Sequence, residues 1–263
     1  MGLLQYQQML PALGLVMARV GGIVLAVPMF SSVQIPRMTK LLLVLIFSLT
    51  IFPIVSSKLP TVMNLGSTAI GMGGEFLIGE VLGLAAGLTF FGAQMAGRIV
   101  SHQAGFALGE VFNPLFDEEF TVLDQLWFFA AFMLFLALRG HIAVISLVMR
   151  SFDLVPPMML QADGSFEHFA VAMARSAFEV AMKLAGPAIV ALMLTSLVLG
   201  FFTKTMPQMN ILSVGFAFKS AVGLLLVALT IQFSEGVLSR ALTDGLDQAG
   251  LLMEHVAEGI THG

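Results

Sequence analysis

The sequence predicts an all-α protein that crosses a membrane several times, and three observations carry that expectation. Of 263 residues, 58% are apolar and only 11% are charged, against about 45–50% and about 25% in soluble domains. Mean hydropathy is +0.96, an excess too large to hide inside one water-facing core. The apolar residues also gather into runs close to the roughly 20 residues that a spanning helix needs.

Taken in order, the runs give about six hydrophobic helices. The first is Met9 to Phe30, with Arg19 inside it, and it ends at SSVQIPR, where Pro36 disfavours helix at the residue before it. No positively charged start precedes this run, so it is expected to remain in place and not to be cleaved as a signal peptide. The second is Leu41 to Val55. The third, Thr68 to Val100, is long and carries Glu75 and Glu80 near its start. A fourth begins at Trp127, breaks around Arg139 to His141, and resumes from Ile142 to Met149. SFDLVPPMMLQADGS follows as a loop. Phe166 to Phe202 begins charged, with Arg175, Glu179 and Lys183 four apart on one face, and finishes purely apolar. Ser213 to Phe233 is the last run, and a polar tail is expected from Glu235.

These helices do not behave like a simple bundle in lipid. Arg37, Lys40, Arg98 and Lys204 fall on one set of loops. Lys58, Arg139, Arg150 and Arg240 fall on the other, so the positive-inside rule finds no bias. Charges stand within apolar spans, where each costs several kcal/mol on insertion scales. Two helices exceed what a roughly 30 Å hydrocarbon slab requires. Burial among partner subunits would relieve all three tensions. Gly79, Gly83 and Gly87 recur every fourth residue, a stripe that lets a second backbone come close. The second backbone is either another helix of the same chain or another subunit.

Between Arg98 and Trp127 the chain is too polar to cross lipid, yet it holds Phe106, Phe112, Phe116 and Phe120 among acidic residues. Gly105, Gly109 and Asn113–Pro114 favour a turn-rich loop. It either anchors at the headgroups or enters a protein-lined cavity, where irregular backbone is tolerated and apolar rings could close a water path. The polar turn Pro207, Gln208 and Asn210 separates two apolar runs. Pro207 stops one helix, and the two amides satisfy freed backbone groups at a hairpin tip.

Catalysis is not expected. His102, His141, His168, His255 and His262 have no metal-ligand spacing, and no glycine loop with a lysine is present to hold a phosphate. Zero cysteines exclude disulfides and thiolate chemistry. A net charge of −4 offers no basic patch for nucleic acid. No cofactor is expected. A small-solute secondary transporter using the intramembrane charges is the alternative that these residues leave open.

MPQMNILSVGFAFKSAVGLLL, Met206 to Leu226, resembles the C-terminal signature of the FliR family, the export-gate subunits of type III secretion systems. Pro207, Gln208, Asn210, Gly215, Phe216, Lys219 and Gly223 carry the likeness. Arg19, Pro28, Phe30, Pro36 and Lys40 resemble the family's opening, and the Gly79/Gly83/Gly87 helix and the Gly97–Arg98 to Gln103-x-Gly105 segment are similar too. Asn113–Pro114 stands where the family more usually has Asp-Pro.

The resemblance implies a non-enzymatic subunit in a hetero-oligomeric helical assembly of the bacterial inner membrane and flagellar basal body. That assembly would hold five FliP, four FliQ and one FliR, with FlhB as a further partner, membrane lipid around it and unfolded export substrates passing through. It further implies a FliP-like part over residues 1–160 and a FliQ-like helical hairpin with a polar tail over 161–263. Residues 105–117 would be a pore plug carried by Gly105, Phe106, Phe112, Pro114 and Phe116. Gly79, Gly83 and Gly87 would serve subunit packing, and Pro207, Gln208 and Asn210 would form the hairpin tip. The equivalent subunit of a virulence injectisome is the other system that the resemblance allows.

Overall fold

The computed structural model describes residues 2–31, 35–58, 65–106, 121–159, 165–206 and 211–262. Among them every regular element is helical: α1 (Gly2–Ala26), α2 (Pro28–Ser31), α3 (Arg37–Val55) with a 3-10 turn at Ser56–Lys58, α4 (Leu65–Ala104), α5 (Val122–Ala137), α6 (Gly140–Leu154), α7 (Ser165–Thr205), α8 (Ile211–Phe233) and α9 (Glu235–His262). Five are long and apolar enough to cross a membrane, and α5 with α6 makes a sixth if that broken pair is one span. The all-α, multi-pass expectation holds.

Helix breaks follow local chemistry. Pro28 opens α2 directly after α1, and Lys40 donates from Nζ to the Ser31 carbonyl at 2.7 Å, capping an end that would otherwise hold bare acceptors. Arg139, expected at a break, has φ 57°, a left-handed corner between α5 and α6. Inside the apolar helices, hydroxyls turn inward. Thr50, Thr195, Ser196, Thr203 and Thr230 each donate to a carbonyl four residues back. These five hydroxyls then need no partner from lipid.

The polar tail expected from Glu235 is a 28-residue helix. Leu238, Leu242, Ala249, Leu252, Met253 and Val256 are buried along one stripe, and the charges that made the segment look polar lie between them. This is an amphipathic helix whose stripe a window average of hydropathy dilutes.

The chain divides into two units that interleave along the sequence. The first comprises residues 1–88, 139–174 and 242–263. Here α1 crosses α4 at glycine. A Cβ on Gly22 would stand 2.7 Å from the Glu80 nitrogen, and one on Gly79 would overlap the Arg19 carbonyl. Gly83 lies against Ile23 and Ala26. Only hydrogen side chains permit this approach, which gives close packing where no hydrophobic effect is available in lipid. Gly245 of α9 lies against the Ala85 carbonyl, and Arg150 forms an ion pair with Glu254.

The second unit comprises residues 89–138 and 175–241. An aromatic cluster joins α4 to α5, with the Phe90 ring 5.7 Å from Phe128 and 5.3 Å from Phe135. Gly92 receives Val180 of α7. Trp127 and Leu123 are fully buried. These units do not correspond to the division at 160/161, which concerns likeness to other subunits and not contacts within this chain.

Candidate functional site: the base of the 105–120 segment

The segment expected to do work starts at the end of α4 and returns to the start of α5. Its entry is a Schellman cap. The Gly105 N–H donates to the His102 carbonyl at 3.3 Å, and the Phe106 N–H donates to the Ser101 carbonyl at 3.0 Å. Gly105 has φ +91°, a conformation that residues with a Cβ rarely adopt. Here glycine is required by the turn itself.

The exit is a capping box. Thr121 is the N-cap of α5, and Asp124 closes the box from the third helical position. Proton counting fixes the network. The Thr121 hydroxyl donates to Asp124 Oδ1 at 2.6 Å, and its oxygen accepts from the Asp124 N–H at 3.3 Å. Ser101 Oγ also contacts Thr121 Oγ1; since the threonine proton is already used, serine is the donor. Asp124 Oδ2 accepts from the Thr121 N–H at 3.1 Å and faces Arg98 Nε at 3.5 Å. Asp124 is 1% exposed, so nearly all its hydrogen-bonding capacity is met by protein. Gly97 lets this come close, because a Cβ there would sit 2.6 Å from Asp124 Cα. Entry and exit are thus clasped together by α4 and α5.

Helix α8 packs on the entry. Ser220 Oγ donates to the Ala104 carbonyl at 3.4 Å, and a Cβ on Gly223 would meet Ala104 Cβ at 2.8 Å. The Phe216 ring lies beside Gly105, 3.1 Å from where a Cβ would be. Two signature residues, Phe216 and Gly223, therefore meet the segment at Ala104–Gly105, which lie more than a hundred residues earlier. Nothing local in the sequence links the two motifs. Phe106 is half-buried. Phe112, Pro114 and Phe116, like Pro207, Gln208 and Asn210, lie outside the described residues.

Of the glycine stripe, Gly79 and Gly83 abut α1 of the same chain, and Gly87 is buried. The local sign of the clasp in the sequence is TVLD, a capping-box pattern ahead of the apolar run LWFFAAFMLF.

A second polar cluster lies within the first unit. Arg19, 0% exposed, donates from Nε to Glu75 Oε2 at 2.6 Å, from one terminal nitrogen to Ser151 Oγ at 3.1 Å, and from the other to the Val155 carbonyl at 3.0 Å. Its guanidinium carbon stands 4.0 Å from the centre of the Phe152 ring. Glu75 Oε1 accepts from the Met158 N–H at 3.0 Å. Two of the charges that seemed costly in apolar spans thus neutralise each other inside the chain. Arg175, Glu179 and Lys183 remain on an exposed face of α7, where Glu179 and Lys183 pair at 2.9 Å.

These features define a multi-pass helical membrane protein with a clasped, aromatic-bearing segment between two of its helices. Residues 10–245 match the model of the family described as Bacterial export proteins, family 1, and the chain belongs to that family. Similar proteins include the Flagellar biosynthetic protein FliR of Pectobacterium carotovorum subsp. carotovorum, 27% identical over 81% of this chain and 81% of that one. FliR of Escherichia coli strain K12 is 28% identical over 80% of each chain. The Secretion system apparatus protein SsaT of Salmonella typhimurium strain LT2 is 24% identical over 70% of this chain and 72% of its own.

Proposed function

We propose that this chain is a non-enzymatic core subunit of the flagellar type III protein export gate in the bacterial inner membrane. With FliP and FliQ, and with FlhB as a neighbour, it forms the channel through which unfolded flagellar proteins leave the cytoplasm. The carrying observation is the family match over residues 10–245, joined to relatives whose names are flagellar. The exposed apolar faces of α3, α7 and α8 suit a chain surrounded by lipid and other apolar subunits. The SsaT relative favours a second reading, the same role in a secretion system other than the flagellum.

Removing the gene from its host should abolish appearance of flagellar filament protein in the medium, and a copy on a plasmid should restore it. Filament protein secreted at the normal level without the gene overturns the flagellar reading. The plug is the finer part of this proposal. Gly105, Phe106, Phe112, Pro114 and Phe116 close the resting channel, and the hairpin tip at Pro207, Gln208 and Asn210 packs among neighbouring subunits. Deleting residues 105–116 in cells that make the whole assembly should raise ion leakage. Unchanged conductance counts against a plug there.

A further inference from the structure

The Arg19 cluster does more than neutralise charge. Arg19 reaches Ser151 and the Val155 carbonyl, while Glu75 reaches the Met158 N–H with the oxygen that Arg19 does not use. The turn after α6 is therefore gripped on both sides, at a carbonyl by the cation and at an N–H by the anion. That turn needs gripping. Met158 has φ 69° without being glycine, a conformation that persists only where surrounding contacts over-determine it. Its side chain lies over Gly71, where a Cβ would come within 2.8 Å of Met158 Cγ.

A buried ion pair is not the best way to hold helices together, since a well-packed apolar pair of similar volume is often as stable or more so. An apolar pair cannot accept an N–H or donate to a carbonyl, and those two bonds select one backbone path. We propose that Glu75 and Arg19 are positioning residues that fix the Val155–Met159 turn against α4, setting the place from which the chain continues toward α7. The pair specifies a path more than it supplies cohesion. Only the secretion readout below rests on the proposed export function.

The chain has no native cysteine, so a G71C/M158C pair reports the turn's position through disulfide formation in membranes from cells making the full assembly. With Arg19 and Glu75 in place the bond should form readily. In the R19L/E75L background it should form about tenfold more slowly at an equal amount of chain, the scale on which a strained conformer is released. Equal rates in the two backgrounds overturn the proposal. If R19L/E75L chain is not recovered, Gly71→Ala decides. It leaves both charges intact and places a methyl 2.8 Å from Met158 Cγ, so secretion of filament protein should fall several-fold while chain abundance holds. Normal secretion by Gly71→Ala overturns the proposal. A host that secretes normally without the gene shows instead that the export reading has failed, and the disulfide comparison still stands.

Discussion

Helices α4 and α8 are nearly matched in hydropathy, yet 67% of the α4 span is buried inside the chain and only 17% of the α8 span is. Composition explains the divergence. Gly79, Gly83, Gly92 and Gly97 let α4 approach α1, α5 and α7 at backbone distance, while α8 presents Leu224, Leu225 and Leu229 outward. Hydropathy records how well a helix tolerates an apolar solvent. It does not say whether that solvent is lipid, another subunit or the chain itself; the small residues do.

The comparison breaks most sharply at Gly79. Gly79→Val would drive a side chain into the Arg19 carbonyl and force α1 from α4. Overpacking against backbone should cost on the order of 3 kcal/mol, seen as loss of chain surviving mild heating in detergent. A full yield of heat-resistant chain would mean that the crossing is looser than described. An intermediate effect is expected at Gly105. Gly105→Ala must hold φ +91° and crowd Phe216, so about 1–2 kcal/mol of stability should be lost at the α4 end, measured as a lowered midpoint in the same heating series. No shift would place the strain elsewhere.

The smallest effect on the chain itself belongs to the outward face. Leu225→Ser, at a position 61% exposed, should change the heat resistance of the isolated chain by less than about 0.5 kcal/mol. If subunits cover α8, the same change should lower recovery of intact assembly on co-purification. Undiminished recovery would leave lipid as the occupant of that face.

How much was legible follows from the reach of each signal. Spans such as Leu41 to Val55 announce themselves because lipid demands a continuous apolar run, and observed α3 differs only by extending to Arg37. The corner at Arg139 could be read from an arginine and a glycine interrupting such a run. Helix α9 shows in the sequence only as a polar tail, because its apolar stripe is interleaved with charge. The Arg19–Glu75 pair could not be read at all: the partners stand 56 residues apart, and nothing local to either helix names the other. The same holds for the docking of Phe216 and Gly223 at Ala104–Gly105. The clasp was readable in part, since a capping box is local, but its link to Ser101 spans 20 residues of sequence.

The separation between Arg19 and Glu75 has a consequence for biogenesis. At about 5–20 residues per second, roughly 3–11 s pass between the ribosome adding the arginine and adding its counter-ion, 56 residues later. Throughout that interval a cation destined for an oily interior has no anion to meet. Insertion of the first helix alone would place an uncompensated cation in the apolar slab at a cost of several kcal/mol, a cost that pairing with the third long helix lowers.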